Sequence, residues 1–156
     1  MTKPEDFTAS TQLREVGELR AGLRRTMTAV EDAASAALTS RPREWCAGLS
    51  PHIDDLRQAW ASHVSGTEGP GGLWEQIRTD APRLNGALNR LGREHEQLTS
   101  EIEALRQVLA DTHDDEALLV KARDRVTTLL VQLTRHRQRG ADLIFEAYEH
   151  DIGGNG

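Results

Sequence analysis

Apolar residues recur every three or four positions along four long stretches of the chain, which is the spacing of amphipathic α-helices. The first predicted helix runs roughly from Thr11 to Leu38, and Pro42 limits it, because proline disfavours helix at and just before its own position. Its apolar stripe consists of Leu13, Val16, Leu19, Leu23, Met27, Val30, Ala34 and Ala37. Such a stripe predicts a helix that packs against partners along one side.

The second predicted helix starts near Pro42, with a bend expected at Pro51. It is interrupted over residues 65–72, which contain four glycines and a proline. Its stripe consists of Trp45, Leu49, His52, Leu56, Ala59 or Trp60, and His63. A short helical piece, from Leu73 to Asp80, is expected after the interruption.

The third predicted helix opens with Asp80 as its N-cap and Pro82 in its first turn. Its stripe, with steps of four and three throughout, consists of Leu84, Leu88, Leu91, His95, Leu98, Ile102, Leu105 and Leu109. A polar turn at residues 111–115 leads into the fourth predicted helix, from about Glu116 to Glu149. The stripe of that helix consists of Leu119, Ala122, Val126, Leu129 or Leu130, Leu133, His136, Gly140, Leu143 and Ala147.

Four amphipathic helices joined by short connections predict an all-α fold, an up-down-up-down four-helix bundle whose second helix is interrupted near residues 65–72. The bundle is expected to occupy residues 11–150 as one domain. Residues 1–10 are expected to form a flexible N-terminal arm, and residues 151–156 a flexible C-terminal tail.

Charge and composition argue against several classes of function for this chain. The net charge is −6, whereas a nucleic-acid-binding domain carries a basic patch on its surface. Cys46 is the one cysteine of the sequence, so no intrachain disulfide can form. No run approaches the roughly 20 apolar residues of a membrane span, and no apolar run follows Met1 as in a signal peptide. We therefore expect a cytoplasmic protein with no membrane or nucleic-acid partner.

Three of the six histidines take the place of apolar residues in the predicted core. His63, His95 and His136 belong to the stripes of three different helices. His63 and His95 lie at nearly equal distances along the chain on either side of the connection near residue 80. From the turn near residue 113, the helical rise places His95 roughly 27 Å away and His136 roughly 34 Å away. These similar heights predict that the three imidazoles share one layer, within about a turn or two of helix.

The other three histidines are not predicted to belong to this layer. His52 lies eleven residues before His63, close to three helical turns, so the two are expected to face the same way. His113 falls in a turn and His150 at the chain end, and both are expected to be solvated.

A metal site in a bundle core is built from side chains that project inward from facing helices. Imidazole suits iron, zinc or copper, and a dinuclear centre also requires bridging carboxylates. Acidic candidates near the layer are Glu68, Glu94, Glu96 and Asp142. The predicted metal ligands are His63, His95, His136, Glu68 and Asp142. A set of hydrogen-bonded structural histidines is the alternative, and axial ligation of a haem is a second one.

At these residues the chain resembles the hemerythrin-like (HHE cation-binding) family. The similar stretches are the segment from His63 to Ile77, the segment from Arg93 to Leu98, and the segment from Leu129 to Glu146, within residues 45–148. The resemblance implies a four-helix bundle with a non-haem di-iron centre that binds oxygen or senses oxygen, redox state or iron.

The chain departs from the pattern of that family at several ligand positions. Four residues after His63 stands Thr67, and Glu68 comes one place late; five residues after His136 stands Ala141, and Asp142 comes one place late. Thr99 takes the place of a further ligand after His95, and the first helix has Leu19, Gly22 and Leu23 where a histidine is expected. These departures imply a histidine-poor site, with three outcomes left open: a single metal ion, a reduced mono- or dinuclear site completed by another ligand, or no metal at all.

The leading hypothesis is a hemerythrin-like bundle that binds a metal, with non-haem iron favoured over zinc or haem. It would bind or sense oxygen, related small molecules or the metal itself. One alternative is a metal-free structural or partner-binding bundle, with a homodimer as an open option. A second alternative is an enzyme that uses non-haem iron or haem.

Overall fold

The computed structural model describes residues 4–35, 41–111 and 115–149, nearly all of them helical. The helices are α1 (Pro4–Ser35), α2 (Pro42–Glu68), α3 (Leu73–Asp80), α4 (Asn85–Asp111) and α5 (Glu116–Ile144). A 3₁₀ turn, Pro82–Leu84, precedes α4, and a π-helical turn, Phe145–Glu149, follows α5. The four long helices pack in chain order, α1 on α2, α2 on α4 and α4 on α5, and α1 also contacts α5. The predicted all-α four-helix bundle is confirmed.

Local sequence accounts for where the helices begin. Pro42 occupies the first turn of α2, where its missing N–H leaves no hydrogen bond unmade. Asp115 caps α5, because its carboxylate accepts hydrogen bonds from the backbone N–H groups of Ala117 and Leu118. Pro42 and Asp115 thus mark where α2 and α5 begin, and each of these helices buries its apolar stripe by packing against the long helix before it.

The interruption of the second helix is shorter than the sequence predicts. Helix α2 continues through residues 65–68 and ends at Glu68, so only residues 69–72 leave the helix. The backbone N–H of Gly71 donates to the carboxylate of Glu75 at 2.7 Å, and the Gln12 amide of α1 donates to the Gly71 carbonyl at 2.6 Å. The connection is therefore tied both to α3 and to α1.

Several helix ends differ from the predicted ones. Helix α1 begins at Pro4, so residues 4–10, expected as an N-terminal arm, continue the helix. Asp80 does not cap the third long helix; it ends α3, and its carboxylate accepts from the Gln76 amide and the Tyr148 hydroxyl. The predicted C-terminal tail, residues 151–156, lies outside the described residues, as do His113 and His150.

The core consists of two apolar clusters, and His63, His95 and His136 separate them. Every position of the predicted stripe on α4 is buried, as is the 3₁₀ residue Leu84. On α2 the stripe is displaced by one residue from the prediction, because Ile53 is fully buried while His52 is half-buried. With Ile53, the buried positions of α2 keep the regular steps of four and three up to His63.

Charged side chains cover the outward faces of the helices. Arg106 pairs with Asp54 at 2.8 Å, and Arg57 pairs with Glu103 at 3.3 Å, across α2 and α4. Within the described residues, none of the helices combines the length and the apolar character that crossing a membrane requires.

We expect opposite effects from two glycine-to-alanine changes in and near α2. A Cβ at Gly72 would lie 2.7 Å from the backbone oxygen of Thr67, so Gly72→Ala should lower the free energy of unfolding by more than about 1 kcal/mol. A Cβ at Gly48, inside α2 beyond its first turn, meets nothing within 4 Å, so Gly48→Ala should raise the free energy of unfolding by about 0.5–1 kcal/mol. Urea unfolding measures both, and equal effects of the two changes would contradict the packing of the 69–72 connection.

Candidate metal centre

Three helices deliver one imidazole each to the layer between the two apolar clusters. His63 comes from α2, His95 from α4 and His136 from α5. The three residues are 6%, 1% and 2% exposed, respectively. Each follows the buried positions of its own helix at the same steps of three and four, so the helical packing itself turns the rings inward.

The imidazoles lie close enough to bind the same ion. Ring centroids are 5.2 Å apart for His63 and His95, 5.4 Å for His63 and His136, and 4.8 Å for His95 and His136. The Nε2 atom of His136 lies 3.3 Å from Nε2 of His63 and 3.1 Å from Nε2 of His95. All three potential ligand atoms are within 4.8 Å of one another. The prediction that the three histidines share one layer is confirmed.

Carboxylates hold the opposite edge of two of these rings. Nδ1 of His95 contacts a carboxylate oxygen of Glu68, and Nδ1 of His136 lies 3.0 Å from a carboxylate oxygen of Glu94. A carboxylate accepts hydrogen bonds, so the proton of each neutral ring belongs on Nδ1. Carboxylates take this position behind metal-bound histidines, where they fix the tautomer and orient the ring.

The protonation pattern leaves nitrogen lone pairs facing one another. With protons on their Nδ1 atoms, His95 and His136 both present unprotonated Nε2 atoms across 3.1 Å. Two acceptors at that distance repel unless a positive charge lies between them, and burial removes the water that would otherwise intervene. A metal ion bound to both nitrogens would remove this repulsion. An additional proton between them would also remove it, but burial lowers the pKa of both imidazoles and so disfavours that proton.

The spacing of the nitrogens fits a single transition-metal ion. A tetrahedral ion with metal–nitrogen distances near 2.1 Å holds its ligand atoms about 3.4 Å apart. Two of the Nε2 separations, 3.3 Å for His63 with His136 and 3.1 Å for His95 with His136, are close to this value. Three neutral imidazoles are also a donor set that zinc, copper, iron and nickel accept.

Two tryptophans enclose the cluster. The Trp60 ring lies 5.1–5.4 Å from all three imidazole rings, centroid to centroid, and so covers one side of the triad. The Trp60 indole N–H donates to the hydroxyl of Thr99 at 2.9 Å, and that hydroxyl donates to the backbone carbonyl of His95. Trp74 of α3 stacks on His95 with centroids 4.6 Å apart. The rings are thereby held in a dry and rigid environment.

Burial favours the neutral form of all three imidazoles. It is the main cause that lowers the pKa of His63 to about 3 and the pKa of His95 to about 3, with the neighbouring imidazoles acting in the same direction. Burial also lowers the pKa of His136, although Glu94 opposes the shift. Neutral rings are the form that binds metal.

The acidic residues proposed as ligands occupy other positions. Glu68 contacts Nδ1 of His95, on the far side of the ring from the converging Nε2 atoms. Asp142 is exposed and accepts a hydrogen bond from Gln138, so the structure does not bring it to the triad. Helix α1 approaches α2 through Leu19, whose Cδ1 atom would be 2.3 Å from a Cβ at Gly66.

Two parts of the site go beyond what the sequence predicts. Glu94 is an acidic candidate near the layer without a predicted role, and the structure shows that its carboxylate links His136 to the guanidinium of Arg139. Trp60 is predicted only as a core residue. Its position three residues before His63, on the same face of α2, is the signal in the sequence that points to the site.

Compared with known protein families, with curated proteins and with solved structures, the chain matches none of them. The geometry of the triad and the chemistry of its residues are therefore the features that indicate a function.

The protein without metal should lose stability as the solution becomes more acidic. Because the folded state lowers the pKa of His63 and His95 from 6.5 to about 3, the unfolded chain takes up protons first, so the stabilisation is present above pH 6.5 and is lost as pH falls toward 3. The loss from each histidine should be small near pH 7 and should approach about 1.4 kcal/mol per pH unit once the pH is well below 6.5. Urea unfolding of chelator-treated protein from pH 7 to pH 5 measures the slope.

The variant His63→Gln should show a slope smaller by the contribution of one histidine, and His52→Gln, outside the cluster, should keep the wild-type slope. Identical slopes for wild type and His63→Gln would mean that His63 is not buried in its neutral form.

Proposed function

We propose that this bundle binds a single transition-metal ion through the Nε2 atoms of His63, His95 and His136. The observation that carries the proposal is the convergence of these atoms while carboxylates occupy Nδ1 of His95 and His136. A purely structural set of core histidines would be expected to pair donors with acceptors. Here the facing atoms of His95 and His136 are both acceptors.

A single ion fits the residues better than two. A di-iron centre of the hemerythrin type needs bridging carboxylates, and both acidic candidates, Glu68 and Asp142, lie away from the Nε2 atoms. Helix α1 contributes the half-buried Leu19 and the buried Leu23 where the family pattern expects a histidine. The ligands that would hold a second ion are therefore absent from the described part of this layer.

Three protein ligands leave a coordination position for a small molecule. Sites with three histidines and one open position are a known arrangement for zinc, and imidazole also suits iron and copper. The resemblance to the hemerythrin-like family favours non-haem iron, with oxygen or a related small molecule as the ligand. We therefore propose a role in binding or sensing the metal or such a ligand, with iron first and zinc second among the metals to test.

Haem is a poor fit to the same residues. Two axial histidines lie on opposite faces of a porphyrin, whereas Nε2 of His95 and Nε2 of His136 are 3.1 Å apart. Trp60 also contacts all three rings and fills the side of the triad that a macrocycle would need.

The direct test is metal binding by the purified protein. Chelator-treated protein should take up one equivalent of Co(II), with the visible absorption of a low-coordinate nitrogen site, and Zn(II) and Fe(II) should compete for it. Elemental analysis of protein purified without added metal would identify the native ion. For the iron-loaded protein, exposure to air should change the visible spectrum reversibly if oxygen is the ligand.

His95→Ala should abolish stoichiometric binding, and His52→Gln, the matched histidine outside the cluster, should bind as wild type does. If wild type binds no metal, the bundle is a metal-free structural or partner-binding protein instead. If His95→Ala binds metal as tightly as wild type does, the ion lies elsewhere and the triad is not its site.

The carboxylate behind His136 should affect the affinity without being a ligand. Glu94→Gln keeps the size of the side chain but removes the charge that holds the Nδ1 proton, so metal affinity should fall by about 10–100-fold. Glu96→Gln makes the same change at an exposed position two residues along α4 and should have no such effect. Competition with a chromophoric chelator measures both, and equal affinities in the two variants would contradict the role given to Glu94.

A further inference from the structure

His63 differs from the other two imidazoles on its outer edge. Nδ1 of His95 and Nδ1 of His136 each have a carboxylate partner, whereas Nδ1 of His63 is buried and has no hydrogen-bond partner among the described residues. An unpaired buried polar atom is costly and calls for a specific explanation. The residue is 6% exposed, so bulk water does not readily supply the missing partner.

Three arginines without acidic partners lie on this side of the layer. Arg20 and Arg24 are one turn apart on α1 and share a face, and Arg137 follows His136 on α5. Within residues 4–35, 41–111 and 115–149, none of the three forms an ion pair, and Nε of Arg137 is buried without a partner. In a chain of net charge −6, three neighbouring cations without a carboxylate are unexpected.

Arg20 and Arg24 lie within electrostatic range of Arg137, and Arg20 and Arg137 lie within electrostatic range of His63. Burial and then the charges of Arg20 and Arg24 lower the pKa of Arg137. After burial and the other two imidazoles, the charges of Arg20 and Arg137 also act to lower the pKa of His63. The packing agrees with this, because Leu19, which precedes Arg20, contacts α2 at Gly66, one turn beyond His63.

We propose that Arg20, Arg24 and Arg137 form a binding site for a small oxyanion, which accepts a hydrogen bond from Nδ1–H of His63. The anion would take the place that Glu68 and Glu94 take at the other two imidazoles. Guanidinium groups bind carboxylate, phosphate and sulfate through paired N–H donors, so these oxyanions are the class of ligand.

The anion and the metal are coupled through the two nitrogens of His63. An acceptor at Nδ1 keeps the proton on that atom and leaves Nε2 free to bind the ion. Each ligand therefore raises the affinity for the other by the same factor, as thermodynamic linkage requires. The anion site itself needs no bound metal, and only the coupling rests on the proposed metal site.

The anion site is tested first on chelator-treated protein, by calorimetric titration with sodium sulfate and with sodium acetate at constant ionic strength in sodium chloride. Sulfate represents a free inorganic dianion, and acetate represents a carboxylate. Arg137→Gln should weaken the tighter of the two by about tenfold or more. Arg125→Gln, the same change at an exposed position three turns earlier on α5, should stay within about twofold of wild type.

Arg20→Gln provides a second variant on a different helix, and circular dichroism verifies that each variant is folded. Equal anion affinities in wild type, Arg20→Gln and Arg137→Gln, or no binding of either anion by wild type, would overturn the proposal.

The coupling is tested by Co(II) titration of wild type with and without the tighter anion. An anion concentration just sufficient to saturate wild type should raise Co(II) affinity by about fivefold or more in wild type and by clearly less in Arg137→Gln, which binds the anion more weakly. Anion binding without Co(II) binding would support the arginine site and contradict the metal site. Co(II) binding with the same affinity at every anion concentration would support the metal site and overturn the coupling.

Discussion

Unprotonated imidazole nitrogens face one another in the buried core of this bundle, and the packing and charges around them are organised about that contact. Nε2 of His136 faces Nε2 of His63 and Nε2 of His95 at 3.3 and 3.1 Å. Carboxylates on the outer edges of His95 and His136 hold the protons there, so the inner edges carry none. The inner nitrogens of His95 and His136 are therefore electron-pair donors, which a positive ion can bind.

The bundle accommodates this polar layer by enclosing it in aromatic and aliphatic packing. One apolar cluster lies on the side of Trp60, Leu98 and Leu133, and the other on the side of Leu91 and Leu143. Trp60 lies against all three imidazoles, and its indole N–H is satisfied by Thr99. The layer is thus rigid before anything binds, which lowers the ordering cost of binding an ion.

Charge is distributed unequally around the layer. Glu68 and Glu94 lie behind two imidazoles, whereas Arg20 and Arg137 lie near the third. The asymmetry follows from α1, which contributes arginines and leucines at this height and no histidine. Because α1 contributes no histidine, fewer side chains can bind a metal ion at this layer. Its arginines also place positive charge, without a carboxylate partner among the described residues, near the outer edge of His63.

The sequence by itself determined the helices, the bundle and the layer of three histidines. Each of these follows from periodicity and from distances along regular helices, which are properties of the backbone that a sequence specifies directly. The heptad spacing on α4 led to His95 as a core residue, and counting from the connections led to His63 and His136 at the same height. The shift from His52 to Ile53 on α2 shows the limit of this reasoning, since a one-residue error rotates a position by about 100°.

Only the tertiary structure decided what the polar side chains around the layer do. The sequence predicts both Glu68 and Asp142 as ligands, yet Glu68 contacts the outer nitrogen of His95 and Asp142 accepts a hydrogen bond from Gln138 at the surface. The side on which a carboxylate lies depends on helix rotation, on side-chain rotamers and on competing partners, and none of these is visible in sequence spacing. The proximity of Arg20 to Arg137 likewise brings together α1 and α5, helices far apart in the chain that meet only when the bundle closes.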